Sequence, residues 1–230
     1  MAHLFHHPLC PHSRFARLAL AEYGLEAELI EEQARERRYD FLLLDPAGRT
    51  PVLVADGGLV VGGAGNIAEW LDEAYGPIVG QRRLMPADIA GRVETRRLCE
   101  WFNEKFFAEV TEWLVHEKVT KRFLPAASGG GAPDMGLVRA ARANIRYHLR
   151  YIGHLTGQRN WLAGDRLSFA DLAAAAHLSA ADYLGDVPWD EDEAAKVWYQ
   201  RIKSRPSFRA LLADRLLGMA PSAIYADLDF

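Results

Sequence analysis

A chain of 230 residues, half of them hydrophobic, can bury a sizeable core in one large or two small domains. A formal net charge of −4 and a pI near 6.1 argue against bulk nucleic-acid binding. No uncharged run reaches the ~20 residues of a membrane span, and only two distant cysteines occur, so a cytoplasmic protein without membrane insertion or a disulfide framework is expected.

In chain order, His3 to His7 reads as a first strand stopped by Pro8. His3, His6, His7 and His12 invite a metal reading, but alternation on a strand separates neighbours and no carboxylate or thiol completes a set, so no metal site is assigned. Cys10-Pro11-His12-Ser13 leads into an amphipathic helix, Arg14 to Leu20, ending near Gly24. A cysteine at such a strand-to-helix turn faces unpaired amides and the positive helix end, which favours the thiolate. The competing reading keeps Cys10 as a small apolar residue. Ala27 to Glu31 is the next strand, and a mixed-charge helix is expected from Arg35 to Asp45.

Pro51 to Ala55 is a short β-branched strand, Asp56-Gly57-Gly58 a turn, and Leu59-Val60-Val61 its antiparallel partner. Ile67, Trp70, Leu71 and Ala74 recur at helical spacing up to Tyr75-Gly76, where the glycine is expected to close the helix. The order β-α-β-α-β-β-α predicts an α/β, thioredoxin-like N-terminal domain over residues 1–77.

Residues 78–86 read as a linker rich in proline, glycine and arginine, and strand signals stop beyond it. An all-helical domain is expected over residues 87–215. Its first long helix, from Asp88, carries the stripe Leu98, Trp101, Phe102, Phe106, Val110, Trp113 and Leu114. A loop follows from Lys121 to Asp134, then a helix lined by Leu137, Ala141, Ile145, Leu149 and Ile152. On its other face Arg139, Arg142, Arg146 and Arg150 fall within about 80° of one another. They read either as a solvated face relieved by acids elsewhere or as a docking stripe for an acidic surface. Ser168-Phe169-Ala170-Asp171 is a capping-box variant opening a further helix. The tail, residues 216–230, ends in Tyr225-Ala226-Asp227-Leu228-Asp229-Phe230. Asp227, Asp229 and the terminal carboxylate crowd negative charge, and Leu228 and Phe230 would share one face of an extended segment; the competing reading packs the tail on its own helical domain.

These residues together resemble the glutathione transferase (GST) superfamily. The proline-led strand, turn, strand and helix of residues 48–76 resemble the second half of its N-terminal domain. Trp161-Leu-Ala-Gly-Asp with Ser168–Asp171, then Trp198-Tyr199 and Arg205-Pro206-Ser-Phe208, extend the likeness to about residue 215. The resemblance implies a cis Thr50–Pro51 bond, with Thr50 offering its backbone to the cysteinyl part of glutathione. It also places Gly63 and Ala64 where enzymes of the family carry an acid and a serine that grip the γ-glutamyl group, with Asn66 in place of an alanine. Losing two charge-assisted contacts weakens binding by roughly 2–5 kcal/mol, or about 30-fold to several-thousand-fold. Arg35 and Arg38 fall where some relatives hold the glycine carboxylate. The stretch CPHSRFARLAL resembles cysteine-type transferases and glutaredoxins, whose catalytic thiol would fall on Cys10.

The tail and the missing grip together resemble the FtsZ-localised GST-like proteins of bacteria. That likeness implies a non-catalytic homodimer, joined through the helix ending at Tyr75 and the long helix after Asp88, with weak or absent glutathione binding. It implies FtsZ, or another acidic cytoskeletal protein, as partner at the division site. Tyr225, Asp227, Leu228, Asp229 and Phe230, and the stripe Arg139, Arg142, Arg146 and Arg150, are the candidate contacts. The alternative is a cysteine-type glutathione transferase or thiol reductase using Cys10, with Thr50 and Pro51 as the remaining ligand site.

Overall fold

Strand β1 (Ala2–His6) buries alternate residues, Leu4 and His6, as its period-two pattern requires. In the computed structural model, which describes residues 1–230, β1 runs parallel to β2 (Ala27–Glu31) and antiparallel to β3 (Val52–Val54). Strand β4 (Val60–Gly62) pairs antiparallel with β3, giving a mixed sheet ordered β2-β1-β3-β4. Helix α1 (Pro11–Tyr23) closes on Gly24 in the left-handed region. It packs against α3 (Ala64–Val79), while the short α2 (Tyr39–Leu44) buries only Phe41. The order β-α-β-α-β-β-α is the thioredoxin-like arrangement expected.

Two local expectations change. The helix expected from Arg35 to Asp45 breaks into a 3₁₀ turn (Ala34–Glu36), Arg37 at φ +47°, and α2. Arg38 is drawn away to the buried carboxylate of Glu32, with Nη2 2.6 Å from Oε2. The glycine expected to end α3 does not end it. A Cβ at Gly76 would lie 2.9 Å from Arg83 Nε and from Asp72 Oδ1, so this glycine makes room for the Arg83–Asp72 ion pair. The helix continues over Pro77 to Val79, into the segment read as linker.

Asp88 caps the second helical region by accepting from the Gly91 amide at 2.8 Å. From there α4 (Ile89–Glu100) continues through a π-helical stretch (Trp101–Thr111), α5 (Glu112–Val115), a second π-helical stretch (His116–Thr120) and α6 (Lys121–Phe123). Helix α7 (Met135–Thr156) packs against this run and against α9 (Glu193–Lys203), and α10 (Arg209–Leu212) precedes the tail. No helix is long and apolar enough to cross a membrane.

The centre is α8 (Phe169–Tyr183), buried on every side as its alanine-rich sequence allows. Its start is fixed by Asp171. That carboxylate accepts from the Leu162 amide at 2.9 Å, the Ser168 amide at 3.0 Å, the Ser168 hydroxyl at 2.8 Å and the Trp198 indole at 3.0 Å. One apolar cluster runs from Leu4 and Phe15 in the sheet domain, through α8, to Trp198 and Phe208. Asp171→Ala would leave several buried donors without an acceptor. The expected cost is about 3–5 kcal/mol, read as a lower urea midpoint at unchanged slope; a loss below about 1 kcal/mol would show that water replaces the carboxylate.

Candidate functional site

The turns that end β1, precede β3 and follow β4 converge on a cleft of about 700 Å³, whose opposite wall is the long helix of the second region at Phe107, Glu112 and His116. Pro11 fits the first turn of α1, where no amide donor is needed, and leaves Cys10 as the N-cap. The Cys10 thiol donates to the Thr50 carbonyl across 3.7 Å. Thr50–Pro51 is cis, and the Pro51 carbonyl accepts from the Gly63 amide at 2.9 Å. Cys10, Thr50, Pro51, Gly63 and Ala64 therefore all border one cavity.

His12, one turn into α1, reaches the other wall. Its Nε2 lies 2.9 Å from the Asn103 carbonyl, and its ring packs on Phe107 and His177 at centroid distances of 4.7 and 5.2 Å. A carbonyl can only accept, so Nε2 carries the proton, while the Cys10 thiol stays directed at the Thr50 carbonyl. Burial alone would push that thiol up; the hydrogen bond and charge of His12, with help from Ser13, outweigh it and bring it down to about 7. The same contact raises His12 against the downward pull of its own burial. Cys99 has no such partner, and burial pushes its thiol far up.

The ligand-gripping positions are bare. Gly63 has no side chain and sits at φ +86°, Ala64 is buried, and the Asn66 amide is turned back to the Gly62 carbonyl at 2.8 Å. An added Cβ at Gly63 would meet only Asn66 Nδ2 at 3.9 Å, so backbone conformation, not space, disfavours a larger residue there. Of the two arginines, Arg38 is committed to Glu32, and Arg35 alone borders the cleft. The residues present do not fit a γ-glutamyl head group.

The glutathione S-transferase N-terminal domain family matches residues 4–81, and the corresponding C-terminal domain family matches residues 136–206. FtsZ-localized protein A of Caulobacter vibrioides is 47% identical over 234 residues, covering 99% of this chain and 97% of that relative. The chain belongs to the glutathione S-transferase family. Among solved structures, a glutathione S-transferase from Sinorhizobium meliloti superposes with a TM-score of 0.96 at 53% identity, each chain fully covered. FzlA from C. crescentus superposes with a TM-score of 0.93 at 46% identity, over 100% of this chain and 99% of that one.

Two further candidate groups of this GST-family chain lie away from the cleft. Along α7, Arg142 Nε donates to Asp186 at 2.8 Å, while Arg146 and Arg150 share Glu191 at 2.6 and 2.9 Å. Three of the four stripe arginines are thus relieved by acids of the same chain, and only Arg139 has no ion-pair partner. The tail packs on its own helical domain and is not the extended strand of the other reading. Tyr225 is fully buried, its hydroxyl donating to the Leu211 carbonyl at 2.7 Å and accepting from Arg14 at 2.9 Å. Phe230 packs on Trp189 and beneath the Lys203 ammonium, 4.1 Å from the ring, and its carbonyl accepts from Gln200 at 2.9 Å. Leu228 and Phe230 consequently share no face: Asp227, Leu228 and Asp229 stand exposed between two aromatic anchors.

In the sequence His12 stands only as a metal candidate, and nothing marks Asn103. The Cys10-x-His12 spacing was the available signal for the first; the second acts through its backbone and leaves none. Calorimetric titration with glutathione is expected to give a dissociation constant above about 1 mM. An affinity in the tens of micromolar would mean that backbone amides alone hold the head group.

Proposed function

We propose that this protein is an FtsZ-binding division factor, acting as a two-fold homodimer through its surface and not by glutathione transfer. The observation that carries this reading is the 47% identity to FtsZ-localized protein A along essentially the whole of both chains. The bare Gly63 and Ala64 support the second half of it, since a transferase needs its cosubstrate held.

The partner-binding element is the tip Asp227–Leu228–Asp229. Asp227 is set by its amide donating to the Ile224 carbonyl at 3.1 Å, and the Asp229 amide donates to the Asp227 carboxylate at 3.0 Å. With Tyr225 and Phe230 pinned on either side, two acids and one leucine are presented in a fixed shape, which lowers the ordering cost of binding. A basic, partly apolar groove on FtsZ is the matching chemistry. The homodimer is assigned to α3 and α4, which expose Ile78, Ile89 and Val93 on neighbouring surfaces.

Asp227→Lys is expected to weaken cosedimentation with FtsZ filaments by about 1–3 kcal/mol, or about 5- to 150-fold, with melting temperature and dimerisation unchanged. Cys10→Ser is expected to cosediment as wild type. Wild-type binding by Asp227→Lys would move the contact elsewhere, Arg139 being the one unpaired arginine of the stripe. Light scattering is expected to give twice the chain mass of 25.7 kDa at micromolar concentration; the single-chain mass would remove the dimer.

A further inference from the structure

The tip Asp227–Leu228–Asp229 hangs between two aromatic residues, and the outer one, Phe230, sits in a pocket that the tail does not build. We propose that α9 and Trp189 form a binding site for an acidic peptide with an aromatic anchor, filled here by the chain's own Asp227–Phe230, and that its occupancy sets the shape of the tip.

The pocket is written into one face of a helix. Lys196, Tyr199, Gln200 and Lys203 recur at spacings of three and four along α9, so their side chains lie side by side. Trp189, from the loop between α8 and α9, stacks on Tyr199 at a centroid distance of 4.6 Å. Three wall residues are tied to Asp182 on α8. Its carboxylate accepts from the Trp189 indole at 3.1 Å, the Tyr199 hydroxyl at 3.3 Å and the Lys203 ammonium at 3.3 Å. None of those three bonds involves the tail, so the walls stand whether or not the pocket is filled.

The occupant is held by ring and backbone together. The Phe230 ring lies 4.9 Å from Trp189 and, edge-on, 6.1 Å from Tyr199. The Lys203 ammonium stands 4.1 Å from the ring centre and is enclosed from water, where a cation is drawn most strongly to an aromatic face. The Phe230 carbonyl accepts from the Gln200 amide at 2.9 Å, which fixes the backbone as well. Lys196, 5.7 Å from the same ring, brings a second positive charge to a segment that carries Asp227 and Asp229. An aliphatic side chain would suit the apolar walls but leave Lys203 without its ring. Phe230 itself is only partly buried, so it can leave without opening the core behind it.

The test uses the chain truncated after Ala226, which keeps Tyr225 on Arg14 and the Ile224 carbonyl on Lys203 while emptying the pocket. The probe is the peptide acetyl-Asp-Leu-Asp-Phe-amide, followed by nuclear magnetic resonance at the Trp189 indole. A tether of a few residues supplies an effective concentration in the millimolar range, so the free peptide is expected to bind below about 1 mM. Replacing its phenylalanine by alanine is expected to weaken binding at least about tenfold. Gln200→Ala, at the half-buried rim, is expected to weaken it about 3- to 10-fold. In the full-length chain the peptide must displace Phe230, and its apparent affinity should fall at least about tenfold. No saturable shift up to about 5 mM, equal binding of the alanine peptide, or equal binding by the full-length chain would each overturn the site.

The hold on the tip has its own readout, and only its consequence for FtsZ rests on the division reading. Phe230→Ala in the full-length chain is expected to speed hydrogen exchange at the Asp229 amide, which now donates to the Asp227 carboxylate, at least about tenfold. The same variant is expected to lose about 3- to 10-fold in cosedimentation with FtsZ filaments, because a loose tip must be ordered on binding. An Asp229 amide that exchanges as in wild type would overturn the hold on the tip. Failure of the unmodified chain to cosediment would overturn the division reading, and the peptide titration would still decide the site.

Discussion

One guanidinium joins three parts of this chain. Arg14, on α1 of the sheet domain, is fully enclosed. Its Nε donates to the Pro8 carbonyl at 2.6 Å and its Nη1 to Ser179 on α8 and to Tyr225 in the tail, both at 2.9 Å, while Nη2 lies 3.5 Å from Asp214. A buried charge is tolerated only while its partners stay in place; removing one strands it at a cost of about 3–5 kcal/mol. Arg17, one turn on, repeats the link to Asp214 at 2.8 Å. The sheet domain, the helical domain and the tail are thus tied to one face of one helix.

That junction explains why the tail is folded back. Tyr225 contributes its hydroxyl to Arg14 and its ring to Tyr183, and the Ile224 carbonyl accepts from the buried Lys203 ammonium. The segment supplies partners to two buried cations, so releasing it would leave both undersupplied. The cleft lies at the start of the same helix: Cys10 caps α1 one turn before Arg14. The Cys10 thiol and the tail anchor are therefore placed by a single rigid element.

Much of this was legible in the residues. The capping box at Ser168 and Asp171 and the proline-led strand are local features that spacing reports, whereas the cis bond at Thr50–Pro51 and the significance of Gly63 and Ala64 come from the family resemblance. What escaped was non-local or ambiguous. Phe102, Phe106 and Val110 satisfy an α-helical stripe and a π-helical one alike, so the wider turns left no mark. The acids that meet the α7 arginines lie about forty residues downstream, where nothing pairs them in sequence. Asn103 reaches His12 through a carbonyl, which every residue type has. Tyr225, a candidate partner contact in the sequence, is buried instead, and the basic residue that claims it, Arg14, is in sequence one more charge on an amphipathic helix.

The φ of +86° at Gly63 has a bearing on how this surface could ever be re-equipped. Any L-residue placed there inherits a backbone state that costs about 1–3 kcal/mol, comparable to what a single new charge-assisted contact returns. An acid installed by one substitution would spend most of its gain on holding the turn. A charged side-chain grip at this turn demands that the chain path between β4 and α3 be redrawn together with its side chains, a change no single-residue step supplies. The turn acts as a ratchet: it resists any added side chain at this one position, while most exposed positions elsewhere on the fold carry no such backbone constraint.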